Sequence, residues 1–343
     1  MGKLKKIGLV LLVFLLVVIV LNRQVSTHLK IILFITEQFP QIPLKPLGLI
    51  TPSPIHQQIK LETESGKVIG DLFIPSSPGS KSAVIVAMGV RTQEKDKPLI
   101  LKFSQSMARL GYVTFWPRLE VLDKGQSLPE EPTTFVASFK YLESLKEVNK
   151  ERISYAGFSV GSSTALVAAA DPAVADQVHA LVFFGGQYNI FEYLENLASK
   201  SYEADGQRVE WQVADDARNH AKGLLETKEA THTARIFSTK ETGEIKKILS
   251  QMPEEEKAKL KRYSPQTVED QFKARLFILH DKSDVYVPFT QSIKLNQAFQ
   301  DQVEELMITD LFEHVQPNRP LGFLNIKEMS KLYGFLYQVF NFL

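Results

Sequence analysis

Gly157-Phe158-Ser159-Val160-Gly161 follows the apolar run Ile153 to Ala156 and precedes a stretch rich in alanine. A serine between two glycines at that spacing has a mechanical meaning. A sharp strand-to-helix turn forces the middle residue into a strained backbone conformation, and glycine two positions to either side leaves room for the neighbouring elements. The hydroxyl then stands above the sheet edge, with a helix N-terminus beneath it that favours developing negative charge. A serine hydroxyl is a poor nucleophile unless a base takes its proton and an acid orients that base. Where such an elbow carries this relay, the acid follows the serine along the chain and the histidine follows the acid.

Of seven histidines, His314 fits that order, in Leu311-Phe312-Glu313-His314-Val315 between the last predicted strand and the final helix. His280 ends a strand but precedes both nearby aspartates; His28, His56, His179, His220 and His232 lie before the core, before a strand or in the long insertion, and all six read as structural. The acid belongs on the turn after the penultimate strand, where Asp281 and Asp284 stand. Asp284 is preferred, because the chain needs several residues past the strand before it turns back toward the histidine. Asp281 sits where a tight turn often wants positive φ, and Asp310 is a weaker third option. For the oxyanion, the N–H of Val160 is one expected donor and the N–H of Val90, in the loop after Met88, the other. Arg91 is either a contact for an anionic substrate group or a solvated loop charge.

The elements that must position these residues alternate. His56 to Thr63 and Lys67 to Ile74, hinged at Ser65-Gly66, predict a hairpin. Ala83 to Met88, Val113 to Trp116, Ile153 to Ala156, Ala180 to Phe184, Leu276 to Leu279 and Leu306 to Ile308 are short apolar runs suited to strands covered on both faces. Between them, residues such as Leu99, Phe103, Met107 and Leu110 recur at helical spacing, and Gly111 supplies a C-terminal cap. This predicts an α/β architecture, a mostly parallel sheet with helices on both faces. Residues 187–271 lack strand-like runs and carry helical spacing at Ile190, Leu194 and Leu197, so a helical cap insertion is expected there.

The N-terminus is of another kind. Lys3, Lys5 and Lys6 precede an unbroken apolar run, Ile7 to Leu21, bounded by Asn22 and Arg23. With no polar face and no small-residue cleavage pattern, it predicts an uncleaved transmembrane signal-anchor over residues 1–25, with cleavage of a signal and secretion as the alternative. The basic cluster places the N-terminus in the cytoplasm and the rest on the extracytoplasmic side of a single-pass protein. Residues 26–54, with prolines at 40, 43, 46, 52 and 54, are expected to be a juxtamembrane segment and spacer, and the globular domain to fill 55–343.

Composition excludes several classes. A net charge of +1 over 343 residues carries no bulk attraction for nucleic acid. The absence of cysteine removes disulfides, Cys-zinc sites and a cysteine nucleophile together. No pair of histidines at i,i+4 stands with a glutamate, and no phosphate loop or dinucleotide fingerprint is present, so neither metal nor cofactor is expected.

From about Ile55 onward the chain resembles the bacterial α/β-hydrolases grouped with dienelactone hydrolases, esterases and the catalytic domains of prolyl oligopeptidases. The Gly157 to Gly161 elbow, the His280 to Asp284 segment followed by Val287-Pro288, and Phe312-Glu313-His314 carry the resemblance. It implies the α/β-hydrolase fold, with Ser159 as nucleophile, Asp284 as acid and His314 as base. Met88-Gly89 stands where these proteins commonly have His-Gly, and Asp281 where they commonly have glycine. Dienelactone hydrolases proper use a cysteine, so their chemistry does not transfer. The resulting expectation is a membrane-anchored serine hydrolase acting on a small-molecule or peptide acyl substrate. A serine peptidase of the same fold and a non-catalytic binding protein are the alternatives.

Overall fold

The computed structural model describes residues 23–63, 66–89, 97–119, 131–225, 231–317, 319 and 325–343. The predicted membrane helix lies outside these residues, and among them no helix is long and apolar enough to cross a membrane.

Eight strands form one sheet: β1 (Ile55–Thr63), β2 (Gly66–Ile74), β3 (Lys81–Ala87), β4 (Val113–Arg118), β5 (Val148–Phe158), β6 (Val178–Phe184), β9 (Arg275–Asp281) and β10 (Val303–Thr309), in the order β1-β2-β4-β3-β5-β6-β9-β10. Pairings β1–β2 and β2–β4 are antiparallel and all others parallel. The long apolar runs follow from burial on both faces, since successive side chains point to opposite sides of a strand. In β3, Ala83, Ile85 and Ala87 join one core and Val84 the other; in β9, Leu276 and Ile278 part from Phe277 and Leu279 in the same way. The first core is closed by α4 (Glu131–Glu143), α5 (Val160–Ala169) and α11 (Thr290–Ala298), the second by α1 (Arg23–Gln38), α3 (Lys97–Arg109) and α12 (Ile326–Phe342). Gly111, at φ 101°, ends α3.

The segment expected as a spacer is instead part of the domain. Ile31, Leu33 and Ile35 of α1, together with Phe39 and the Leu47 of the short α2 (Leu47–Ile50), are buried with Phe335 and Val339 of α12. Lys45 Nζ donates to the carbonyls of Thr36 and Phe39 at 2.6 and 2.7 Å, which caps the end of α1. The prolines keep this stretch from forming one long helix, and apolar side chains between them still dock it. The packed domain therefore begins well before Ile55.

The insertion is mainly helical: α6 (Ile190–Ser199), α7 (Asp215–Leu225), α8 (Thr231–Ser238), α9 (Thr242–Ser250) and α10 (Glu254–Lys261). Contrary to the absence of strands expected there, β7 (Ser201–Ala204) and β8 (Gln207–Glu210) form a hairpin. Its turn places Asp205 and Gly206 both at positive φ, the requirement of a two-residue hairpin turn. Asn189 caps α6 by accepting from the N–H groups of Phe191 and Glu192. The cap has its own core, in which Tyr193, Leu197, Trp211 and Ile248 meet Val287 of the main domain.

Ile31 is fully buried. Ile31→Ala is expected to lower the unfolding free energy by about 2–5 kcal/mol, read as a midpoint shift at unchanged slope in chemical denaturation. A change within about 0.5 kcal/mol, the range of a surface substitution, would show that α1 does not belong to the folded unit.

Candidate active site

Five segments meet at the C-terminal edge of the parallel strands, the place where open α/β sheets leave a crevice. The turn after β5 carries Ser159 at φ 58°, ψ −142°, a region that residues with a side chain rarely occupy. Three glycines make the turn possible. A Cβ on Gly157 would lie 2.4 Å from Ser162 Cα, and one on Gly161 2.5 Å from the Met88 backbone. A Cβ on Gly89 would lie 2.7 Å from Ser159 Cβ and 3.0 Å from its Oγ, so the end of β3 passes directly beside the hydroxyl. Val160 opens α5, and the first N–H groups of a helix have no intrahelical partner. Val90 and Arg91 lie outside the described residues.

Asp284 is buried, and its two carboxylate oxygens are used separately. Oδ1 accepts from the backbone N–H groups of Tyr286 at 2.7 Å and Val287 at 3.1 Å. Oδ2 accepts from His314 Nδ1 at 2.6 Å. It also lies 3.3 Å from His280 Nε2. Burial opposes ionisation of this carboxyl, yet the facing imidazoles of His314 and His280 outweigh burial and hold it well below the usual carboxylate range.

His314 occupies a tight turn. Glu313 and Gln316 exchange both backbone hydrogen bonds, at 2.8 and 3.0 Å, which leaves His314 and Val315 as the two central residues. That geometry sets φ 58° at His314. With Nδ1 donating to Asp284, the neutral ring presents Nε2 as an acceptor. This atom is buried and has no hydrogen-bond partner among the described residues.

Ser159 and His314 are brought to the same turn but are not hydrogen-bonded to each other. Ser159 N donates to Phe184 O at 2.8 Å. At the next residue, Gly185, an added Cβ would lie 3.5 Å from His314 Cε1 and 3.6 Å from Asp284 Oδ2; at Gly186 it would lie 2.9 Å from Ser159 O. Gly185-Gly186 at the end of β6 is thus the floor shared by serine, histidine and aspartate. The pair went unnoticed in the sequence, although two glycines closing the strand next to an elbow are a signal of close backbone approach.

The other aspartates have different places. Asp281 is the last residue of β9 and has no positive φ, contrary to the turn expected there. Its buried carboxylate accepts from Phe312 N and Ser283 N, both at 2.9 Å, and from Arg319 Nη2 at 3.0 Å. Burial raises its pKa, against these partners. Asp281 therefore ties the His314 loop to the sheet. Gln41 Nε2 holds the same loop from the N-terminal segment, donating to the carbonyls of Pro317 and Arg319 at 2.7 and 2.8 Å. Asp310 is exposed and makes no contact with His314 among the described residues. His280 has more than a packing role: Nε2 faces the Val287 carbonyl at 2.9 Å and so carries the proton, and Nδ1 meets the Ser292 hydroxyl at 2.6 Å. Among the described residues no group of histidines and carboxylates is arranged to hold a metal ion.

No family model matches the sequence, and no curated protein does. Solved structures match its shape. The acylaminoacyl peptidase of Pyrococcus horikoshii aligns at TM-score 0.55 and 14% identity over 86% of this chain and 42% of its own. Dipeptidyl peptidase 4 of Porphyromonas gingivalis aligns at 0.52 and 16% over 84% and 36%. The 2,6-dihydroxy-pseudo-oxynicotine hydrolase aligns at 0.50 and 17% over 84% and 68%. The chain has the α/β-hydrolase fold. It spans about two fifths of the length of the peptidases it matches. Within this architecture the turn at Ser159 follows β5, the loop with Asp284 follows β9 and the loop with His314 follows β10.

Asp284 favours its charged form in the folded protein, so its contribution to stability is complete above the unfolded carboxylate pKa of about 3.9 and is lost as pH falls toward the depressed native value. The stability difference between wild type and Asp284→Asn is accordingly expected to be constant near neutrality and to shrink below about pH 4. Denaturation midpoints measured across that range check it. A difference that grows on acidification would contradict the assigned direction.

Proposed function

We propose that this α/β-hydrolase is a serine hydrolase that cleaves an ester or related acyl bond through Ser159, His314 and Asp284. The observation that carries the reading is the buried, unpartnered Nε2 of His314, beside the strained Ser159 turn, on an imidazole already oriented by Asp284. His314 Nε2 takes the Ser159 proton as Oγ bonds to the carbonyl carbon, and the tetrahedral oxyanion is held by the N–H of Val160 and, by the resemblance, of Val90. The leaving group departs with the proton from His314. Water then attacks the acyl-enzyme, gives its proton to His314 and its hydroxide to the acyl group, and Ser159 Oγ recovers a proton. Serine–histidine hydrogen bonds in unliganded sites are often open and tighten when substrate binds. A peptidase would use the same residues on an amide, and 4-nitroanilides assayed beside esters separate the two. The apolar run Ile7 to Leu21 supports membrane attachment of the chain through its N-terminus, with the catalytic domain on the extracytoplasmic side.

Ser159→Ala is expected to abolish both 4-nitrophenyl acetate hydrolysis and covalent labelling by a fluorophosphonate; full activity in this variant would end the proposal. Gly89→Ala puts a methyl group against Ser159 Cβ and Oγ. It is expected to lower kcat/KM by about a hundredfold through displacement of the nucleophile. An unchanged kcat/KM would mean that the β3 loop does not border the reacting atoms.

A further inference from the structure

Between the sheet and helices α1, α3 and α12 lies a cavity of about 280 Å³. Its wall is mostly apolar and includes aromatic rings from all three helices, Phe34 of α1, Phe103 of α3 and Phe335 of α12. Lys102, the one charged side chain among the described residues that line it, is paired with Glu37 at 3.3 Å. Four further wall residues fix where the cavity lies. Met88, Phe158, Phe184 and Val315 all line it, and each is the chain neighbour of a residue that builds the site: Gly89, Ser159, Gly185 and His314. Cavity and site therefore share the same four segments.

We propose that this cavity receives the aliphatic acyl chain of the substrate, which makes the substrate class esters or thioesters of medium- to long-chain fatty acids. The proposal rests on the serine hydrolase reading above. A preformed apolar cavity rewards burial of methylene groups and offers little to a polar chain. Each unit of a peptide brings a donor and an acceptor that need partners once out of water. Among the described lining residues, the one buried side-chain polar atom left without a hydrogen bond is Gln38 Nε2, a lone donor where each unit of a peptide would need a donor and an acceptor. An acyl chain needs no partners along its length, and its carbonyl end would remain among the polar groups at the sheet edge.

The test is a chain-length series of 4-nitrophenyl esters, from acetate to dodecanoate, with the full chain and with Leu336→Trp, which fills the cavity from a half-buried position on α12. Wild-type kcat/KM for octanoate is expected to exceed that for acetate by about tenfold or more, and Leu336→Trp to cut the octanoate-to-acetate ratio about tenfold. Phe103→Ala, which widens the cavity, is expected to shift the optimum to longer chains. A readout free of turnover is the fluorescence of dansylundecanoate, expected to bind Ser159→Ala protein and to be weakened by adding Leu336→Trp. Ser159-dependent hydrolysis of acetate with a flat chain-length profile, no effect of Leu336→Trp and no dansylundecanoate binding would overturn the cavity assignment and leave the hydrolase standing. Dansylundecanoate binding that is sensitive to Leu336→Trp, with no ester cleaved at any length, would overturn the hydrolase reading and leave the cavity. Neither cleavage nor binding would overturn both.

Discussion

The buried carboxylate of Asp284 is the constraint on which the site is organised. A charge taken out of water costs several kcal/mol unless its oxygens are filled, and here they accept from two backbone N–H groups and His314, with His280 alongside. The backbone of the same loop is equally committed. The carbonyls of three consecutive residues, Asp284, Val285 and Tyr286, accept from Trp211 Nε1, Ala214 N and Tyr193 Oη at 2.7, 2.8 and 3.0 Å. All three donors belong to the cap. The orientation of His314 and the seat of the cap are thus set by one short loop, and the ring of Tyr286 lies against that of His314 at 4.7 Å between centroids. The cap is joined to the Asp284 loop, and that loop to the imidazole, by hydrogen bonds as well as by packing.

On the other side of the site the constraint is steric. The sheet brings the ends of β3, β5 and β6 so close that Gly89, Gly157, Gly161 and Gly186 have no room for a Cβ. The strained conformation of Ser159 costs on the order of 1–3 kcal/mol and persists because this surrounding backbone allows no alternative. Ser159 is in this sense held by the sheet, and Asp284 and His314 by the loops after β9 and β10.

Much of this was legible in the sequence, because the signals were local. Alternation of apolar runs with helical spacing gave the layered sheet, and Gly157 to Gly161 gave the elbow. Chain order narrowed the histidines to His314, and the length of chain needed past the strand preferred Asp284 over Asp281 and Asp310. What escaped was long-range. Nothing near Ile31 or Phe39 announces that α12, some three hundred residues away, will cover them, and proline density at 40–54 spoke only to local backbone stiffness. The hairpin at β7 and β8 is four residues per strand, too short for a two-residue period to stand out. Chain order alone makes His280 structural, yet a residue four positions back on a strand can still reach over the turn to the Asp284 carboxylate. Turn statistics speak only to the backbone at Asp281, whereas its position is decided by the N–H groups and the guanidinium that converge on its carboxylate.

Three departures from the rules of stable structure fall within this one cluster. Ser159 and His314 both hold positive φ without being glycine, and His314 Nε2 is a buried acceptor with no hydrogen bond among the described residues. Each is of a kind that costs on the order of 1–3 kcal/mol. The other two non-glycine residues at positive φ among the described residues, Lys200 at the C-cap of α6 and Asp205 in the β7–β8 turn, sit where that conformation is ordinary. Other buried polar atoms among the described residues also lack a partner, but at Ser159 and His314 two strained backbones and an orphaned acceptor occur together, which has the form of a site held ready for a reacting partner. The orphaned Nε2 gives that argument its direction, because a buried acceptor is relieved by a group that brings a proton to it.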